Sequence, residues 1–305
     1  MRIGLVDVDS FHFPNIALMK ISAYHKSRGD IVEWANLFQK YDIVYMSKVF
    51  SWSHDDEYCY SADKIEKGGT GYDVHKELPI EIDSLCPDYS LYNCEHAYGF
   101  LTRGCPNRCK WCIVPVKEGD IRPYMDIEEF IADKKSAILM DNNVLAHEWG
   151  IKQLEKIAKL KIKVDFNQGI DCRRIDASIA KLLAKIRWLE AVRLACDTKA
   201  QMKHVEKAVK YMRQAGVKPE RYNCYVLVTE DLEDAYERVM FLKRLNIDPY
   251  AQAYRDFTLK VENITIEQRR FCRWVNHKPT FMTIDWKDYQ KTAPKEIDQY
   301  QLSLF

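Results

Sequence analysis

The sequence of 305 residues has no apolar run long enough to span a bilayer. Its first residues, Met1–Leu5, predict the start of a strand rather than a signal peptide. Its ten cysteines follow no regular disulfide framework, so we expect a reducing cytoplasm and no membrane partner. Lysine and arginine number 46 against 45 acidic residues, and the net charge of +1 neither demands nor excludes a nucleic-acid partner.

The sequence does have the composition of a soluble globular protein. Hydrophobic residues make up 47% of the chain and charged residues 30%. A chain of this length can bury one large core or two modest ones. Three of the cysteines lie close together in one short stretch, and the functional interpretation depends on them.

Cys105, Cys109 and Cys112 form a C-x3-C-x2-C pattern, with Trp111 directly before the third cysteine. Three sulfur ligands on so short a loop favour an iron–sulfur cluster, copper(I) or zinc. A [4Fe–4S] cluster held by three cysteines keeps one iron without a protein ligand. Zinc would need a fourth ligand, and no nearby C-x2-C or H-x3-H supplies one. A redox pair of Cys109 and Cys112, or three unrelated buried thiols, are the remaining alternatives.

At Cys105, Cys109, Trp111 and Cys112 the sequence resembles the radical S-adenosylmethionine (radical SAM) enzymes. The resemblance implies a [4Fe–4S] cluster on the three cysteines, with SAM bound to the open iron beside Trp111. It also implies that an electron from a flavodoxin-like or ferredoxin-like donor cleaves SAM to a 5′-deoxyadenosyl radical, which removes hydrogen from a substrate. Such chemistry belongs to the cofactor, while the protein supplies position and a dry pocket.

The alternation of strand and helix patterns predicts an α/β protein with two folded parts. Residues 1–95 predict a small Rossmann-like domain. It looks like the cobalamin-binding domain of many radical SAM enzymes, but it lacks the D-x-H-x-x-G motif, so we expect no corrinoid. Residues 96–286 fit a partial (β/α)6 TIM-like barrel, the radical SAM fold. Residues 287–305 predict a flexible tail.

We predict the barrel strands at Tyr98–Leu101, Ala137–Met140, Ile162–Phe166, Ala191–Ala195, Tyr222–Val228 and Pro249–Ala253. In such barrels the chemistry lies at the carboxyl ends of the strands. Asp141, Asn142 and Asn143 follow the second strand, in a region that faces the amino group of SAM in radical SAM proteins. The resemblance therefore predicts that they bind SAM, although the family often has Gly-Gly-Glu there. A solvated turn is the alternative.

Further candidates follow the third and fourth strands. Asn167 and Gln168 lie in a stretch that looks like the Gln-Ser-Gly of methylthiotransferases, where a polar side chain lies near SAM. Arg193 alternates with apolar residues, and a buried arginine needs an anion, either the carboxylate of SAM or Asp197. Cys196 is a candidate hydrogen-atom donor to a substrate radical, with a small apolar core residue as the alternative.

Basic residues surround the cysteines. They include Arg103, Arg108, Lys110, Lys117 and Arg122. This distribution suits a nucleic-acid or other polyanionic substrate, and it equally suits a solvated surface. We therefore expect modification of DNA, RNA or a nucleotide. The alternatives are a protein, peptide or small-metabolite substrate, or a non-enzymatic metal-binding module.

The last five residues, Gln301, Leu302, Ser303, Leu304 and Phe305, look like the consensus by which bacterial proteins bind the replication β sliding clamp. In such peptides leucine and phenylalanine fill an apolar pocket while glutamine fixes the orientation. The alternative is a hydrophobic latch that folds back on the protein. The tail therefore predicts the sliding clamp as a partner.

Overall fold

The computed structural model describes residues 1–10, 13–218, 221–261 and 263–292. It is a mixed α/β structure whose larger sheets are parallel. The clamp-binding peptide predicted at Gln301–Phe305 lies outside the described residues.

The first sheet contains β1 (Arg2–Asp7), β2 (Ile31–Trp34), β3 (Lys40–Ser47) and β4 (Ser61–Gly68). The strand order is β2-β1-β3-β4, and each neighbouring pair is parallel. Helix α1 (Ile16–Ser27) connects β1 to β2. A parallel pair requires such a crossover, because the chain must return to the end of the sheet where the first strand began.

Helix α1 covers one face of this sheet with residues at helical spacing. Leu18 and Ile21 pack against Leu5 of β1 in a small separate core. Asn15 begins the helix, and its side chain accepts a hydrogen bond from the backbone N–H of Leu18. The predicted strand–helix–strand pattern is therefore present. The domain boundary at residue 95 stays a prediction.

Nine further strands and ten further helices follow in the described residues. The strands are β5 (Ala97–Gly99), β6 (Thr102–Arg103), β7 (Arg122–Pro123), β8 (Ser136–Leu139), β9 (Lys163–Phe166), β10 (Arg187–Trp188), β11 (Ala191–Ala195), β12 (Arg221–Val228) and β13 (Asp248–Ala253). The helices are α2 (Ile80–Asp83), α3 (Val114–Lys117), α4 (Ile127–Phe130), α5 (Glu148–Leu160), α6 (Ala177–Leu183), α7 (Lys199–Ala215), α8 (Leu232–Arg244), α9 (Ile266–Asn276), α10 (Lys278–Thr283) and α11 (Trp286–Thr292).

Two parallel sheets from this part of the chain meet at a single bridge. Their strand orders are β10-β9-β8-β5 and β11-β12-β13. Ile170, just after β9, bridges to Leu194 of β11, and its N–H donates to the carbonyl of Arg193 at 2.8 Å. The carboxyl ends of β5, β8, β9, β11, β12 and β13 therefore lie along one edge. All six predicted strands are present, with bounds within two residues of those predicted.

Helix α7 illustrates how the outer helices cover these strands. Its buried residues Val205, Ala208, Val209 and Met212 recur every three or four positions and join the main core. Thr198 begins the helix with a capping box, and Gly216 ends it in the left-handed conformation. Among the described helices, none is both long and apolar enough to cross a membrane.

Arg238 is a buried cation that attaches α8 to the strand ends. Its side chain is only 1% exposed. Its guanidinium donates to the carbonyls of Cys196 and Leu227, each at 2.9 Å, and its Nε donates to Asp234 at 2.6 Å. A buried carbonyl without a donor is costly. Arg238 therefore supplies donors where β11 has just ended and β12 is about to end.

Replacing Arg238 by alanine should lower the free energy of unfolding by about 3 kcal/mol, because two carbonyls and a carboxylate lose their donor. Urea denaturation followed by circular dichroism measures this loss. Arg244→Ala, at the exposed end of the same helix, is the matched control and should cost less than about 0.5 kcal/mol. Equal losses in both variants would contradict this role for Arg238.

Candidate functional site

The three cysteines of the C-x3-C-x2-C pattern lie on one loop, residues 104–113, which we call the cysteine loop. A short antiparallel pair closes its base, where Arg103 of β6 lies opposite Arg122 of β7. Gly104 has φ +80°, and a Cβ there would lie 2.2 Å from the carbonyl oxygen of Asp120. The loop therefore requires glycine at this position.

Cys105 is buried, while Cys109 and Cys112 are half-buried. Burial raises the pKa of Cys109 and Cys112, and the charges of the neighbouring loop thiols raise it further. The backbone N–H of Cys112 donates to the carbonyl of Cys109 at 3.0 Å, which makes the turn between them tight. Since thiolates are the ligating form, metal binding at this loop would release protons.

Glu118 fixes the base of the cysteine loop, and the sequence analysis missed it. Its carboxylate accepts from the backbone N–H of Gly104 at 2.8 Å and from the side-chain amide of Asn142 at 2.9 Å. It also pairs with Arg103 at 2.9 Å, and only 6% of its side chain is exposed. The sequence shows Glu118 only as an acid among basic residues, a pattern that is equally typical of a solvated surface. Asn142, predicted to bind SAM, is therefore engaged with Glu118.

Asp141 is a buried carboxyl that orients the start of the cysteine loop. It accepts from the backbone N–H of Leu101 at 3.1 Å, and from the N–H and hydroxyl of Thr102, each at 2.6 Å. Burial raises the pKa of Asp141 to about 6, against the opposing effect of these donors. Both carboxylate oxygens are engaged, so the structure assigns Asp141 a positioning role. Its predicted contact with SAM stays a prediction.

Asn143 reaches the cysteine loop directly. Its side-chain amide Nδ2 lies 3.5 Å from the Sγ of Cys105 and donates to Asp171 at 3.0 Å. Its Oδ1 is buried and has no hydrogen-bond partner among the described residues. A buried acceptor without a donor is unfavourable, so a bound molecule carrying an N–H or O–H would stabilise it.

Asp171 joins the cysteine loop to two strand ends. It follows β9, and it accepts from Asn143 and from the side-chain amide of Asn107 at 3.3 Å. Arg173 also donates to it, with Nε at 2.7 Å. Burial alone would raise the pKa of Asp171, but the hydrogen bonds and charge of Arg173 outweigh it and lower the pKa. The carboxylate is therefore held ionised next to the loop.

Asp197 brings a third strand end to the same place. It follows β11, and its Oδ1 accepts from the backbone N–H of Leu227 at 3.1 Å. Burial raises the pKa of Asp197. Its charge is close enough to contribute to the raised pKa values of Cys109 and Cys112. Residues after β8, β9 and β11 thus surround the cysteine loop.

The remaining predicted cofactor-binding residues have other surroundings. Trp111 is half-buried within the loop, and Gln168 is exposed. The side-chain amide of Asn167 lies 3.8 Å from the sulfur of Met140. The backbone carbonyl of Asn167 accepts a hydrogen bond from the hydroxyl of Tyr225. Their contacts with SAM stay predictions.

Arg193 forms a two-pronged ion pair with Asp165 of the neighbouring strand β9. Its Nε lies 2.8 Å from Oδ1, and its Nη2 lies 2.7 Å from Oδ2. These hydrogen bonds raise the pKa of Arg193. Among the described residues the anion that pairs with Arg193 is therefore Asp165, through two parallel charge-assisted hydrogen bonds, and not the Asp197 that the sequence offered as an alternative to SAM. The contact between Arg193 and the carboxylate of SAM stays a prediction.

Cys196 is fully buried in the main core. Its thiol lies 3.8 Å from the carbonyl of Thr198, and burial raises its pKa to about 12. These surroundings suit the small apolar core residue that the sequence analysis gave as the alternative. The hydrogen-donor role stays a prediction.

Several of the basic residues near the loop are paired. Arg103 contacts Glu118, Arg108 contacts Asp120, and Arg122 donates to the carbonyl of Glu118. Burial lowers the pKa of Lys117. Carboxylates therefore compensate the charges of Arg103 and Arg108, while the bond of Arg122 to a carbonyl leaves its charge unbalanced.

The residues of the loop fit a three-cysteine cluster by their chemistry. In the described part of the chain, no three or more histidine, cysteine or acidic side chains are grouped to hold a single metal ion. A cubane cluster binds each thiolate to a different iron, so it does not require such a grouping. Three thiols on one loop are the donors that such a cluster uses, and the buried Oδ1 of Asn143 near Cys105 has no hydrogen-bond donor among the described residues.

The buried Asp141 predicts a defined pH dependence of stability. Its carboxyl has a pKa of about 6 in the folded protein, against about 3.9 for an unperturbed aspartate, so protonation stabilises the fold. That contribution is fully present below about pH 4 and is lost as the pH rises through 6, a change of about 3 kcal/mol. Asp141→Asn removes this titration.

The unfolding free energy of the wild type minus that of Asp141→Asn should therefore fall by about 2.5 kcal/mol between pH 4 and pH 7. Chemical denaturation across this range measures it. A constant difference for Asp141→Asn would contradict the raised pKa.

Comparisons with known proteins find structural likeness only. No family model and no curated protein matches the chain. Three crystal structures of Streptococcus suis SuiB are similar to it, each at 16% identity over 61% of this chain. They are SuiB bound to S-adenosylmethionine (TM-score 0.43, 48% of that chain), SuiB (0.42, 46%) and SuiB bound to precursor peptide SuiA (0.43, 46%). The matched region spans about half the length of SuiB.

Proposed function

We propose that this chain is a radical SAM enzyme in which Cys105, Cys109 and Cys112 hold a [4Fe–4S] cluster. The observation that carries the proposal is the convergence of strand ends on the cysteine loop. Asn143 after β8 contacts Cys105, and Asp171 after β9 contacts both Asn143 and the loop. In parallel barrels the reactive groups are held at this edge.

The finer description of the fold belongs to the same proposal. The strand order β5-β8-β9 continues through the bridge at Ile170 into β11-β12-β13. Six parallel strands in chain order, with the intervening helices outside them, are what a partial (β/α)6 barrel requires. This arrangement supports a radical SAM type of barrel over residues 96–286.

When bound, the cluster supplies the electron that cleaves SAM to methionine and a 5′-deoxyadenosyl radical, which removes hydrogen from the substrate. The chain's own residues position these groups. Glu118 and Asp141 hold the two ends of the segment that leads into the loop. Asn143 offers its free Oδ1 to the amino group of SAM. Arg173 lies close enough to favour the thiolate of Cys109, which is the ligating form.

For the substrate we propose a nucleic acid or nucleotide, on the basis of the clamp-like peptide at Gln301–Phe305 and the basic residues of the sequence. The alternative is a peptide, protein or small metabolite, and SuiB, which is similar to this chain, has been crystallised with a precursor peptide. A flavodoxin-like or ferredoxin-like electron donor and the β sliding clamp remain proposed partners.

The cysteine loop should account for the iron of the protein. After anaerobic reconstitution we expect about four irons and four sulfides per chain, with an electron paramagnetic resonance signal that shifts when SAM is added. A variant with all three loop cysteines changed to serine should lose this signal. Cys59→Ser, which removes an exposed cysteine outside the loop, is the control and should retain it. Zinc in the wild type, or a signal that SAM does not shift, would refute the proposed cluster.

The class of substrate can be identified by measuring how each candidate pool changes the rate of SAM cleavage. Dithionite-reduced protein should form 5′-deoxyadenosine, and the rate should rise in the presence of the correct substrate pool. We expect stimulation by DNA, RNA or nucleotides above that by peptides. Stimulation by peptides alone would establish the alternative, and no cleavage of SAM under any condition would favour a non-enzymatic metal-binding module.

A further inference from the structure

A cavity of about 500 Å³ lies beside the cysteine loop, outside the carboxyl end of β9. Its walls come from the short 3-10 helix at Cys172–Arg174, the start of α6 and the middle of α7. Leu145 and Ile179 contribute apolar surface. This volume lies in the range of cavities that bind small ligands or one unit of a larger one.

The polar side chains that line this cavity are predominantly basic. They are Arg173, Arg174, His204 and Lys207, with Asp176 as the acid. Asp176 uses its carboxylate to begin α6, where it accepts from the backbone N–H groups of Ser178 and Ile179. The acid is therefore already engaged by the helix, whereas Arg174 and Lys207 are exposed side chains in the wall of the cavity.

The cations differ in how far they are committed elsewhere. Arg173 donates two hydrogen bonds to Asp171, so much of its charge is balanced. Arg174 lies 3.9 Å from the same carboxylate, a weaker contact, and over a third of its side chain is exposed. His204 and Lys207 are three residues apart on α7, so both side chains lie on one helix face. Arg174, His204 and Lys207 thus approach one space from two sides.

We propose that this cavity binds a phosphate group of the substrate. Arginine offers a planar pair of donors that matches phosphate geometry, and lysine adds a point charge. The inference deepens the proposed function and rests on it for the chemistry done to the bound molecule. Arg173 links the two places, because it lines the cavity and also contacts Asp171 beside the cysteine loop.

The test compares binding to full-length protein as purified, so it needs neither the cluster nor SAM. The probes are inorganic phosphate, a nucleoside monophosphate with its parent nucleoside, and a single-stranded oligonucleotide. The test variant is the double change Arg174→Gln with Lys207→Gln. The matched control is Lys203→Gln with Lys210→Gln, which removes two charges from exposed positions of α7 outside the cavity.

We expect the test variant to bind the phosphate-bearing probes about tenfold more weakly than the wild type, since two charge-assisted contacts are lost. The control should change the affinity by less than about twofold, and thermal denaturation should show both variants folded. One outcome is that the oligonucleotide binds more tightly than the monophosphate, with an affinity that falls steeply as salt is added. That result identifies a nucleic-acid strand as the source of the phosphate. Comparable affinities for the oligonucleotide and the monophosphate identify a free nucleotide as the source.

Equal affinities of the test and control variants for every probe, or binding of the nucleoside as tight as that of its monophosphate, would overturn the phosphate site. These outcomes leave the cluster measurements untouched. Failure of the phosphate site and failure of the radical SAM chemistry are therefore distinguishable.

Discussion

The carboxylate of Asp171 is the group on which the arrangement of the candidate site depends. It accepts hydrogen bonds from Asn107 in the cysteine loop and from Asn143 after β8, while it lies itself after β9. Buried polar groups in proteins are almost always satisfied, and a half-satisfied network is costly. One ionised carboxylate therefore fixes three chain segments relative to each other, and the backbone alone would not hold the loop in this place.

Two buried acids near the loop show how the surroundings divide their roles. Asp141 receives only backbone N–H groups and a hydroxyl, and burial dominates, so its pKa rises to about 6. Asp171 is also buried, but Arg173 donates to it and lowers its pKa. The first carboxyl orients the entry to the loop, and the second supplies a permanent negative charge that orders the amides around the thiols.

The strands behind the site separate an apolar face from a polar one. On β12, Cys224, Val226 and Val228 are buried in the main core, while Tyr225 between them is only half-buried and donates to the carbonyl of Asn167. On β11, Arg193 has the same alternate position and pairs with Asp165. Alternation of side chains along each strand explains this division. The outer helices cover the apolar face, so ion pairs and hydroxyls lie on the other.

The sequence alone determined the elements whose causes are local. Strand alternation, the cap at Thr198, the stop at Gly216 and the spacing of the three cysteines depend on neighbouring residues, and the six predicted strands are present. Tertiary structure alone decided which side chains meet across long distances in the chain. It pairs Arg193 with Asp165, engages Asn142 with Glu118, and brings Asp171 to Asn107, because the order of the strands and the meeting of the loops at their carboxyl ends select these partners, which no local pattern encodes.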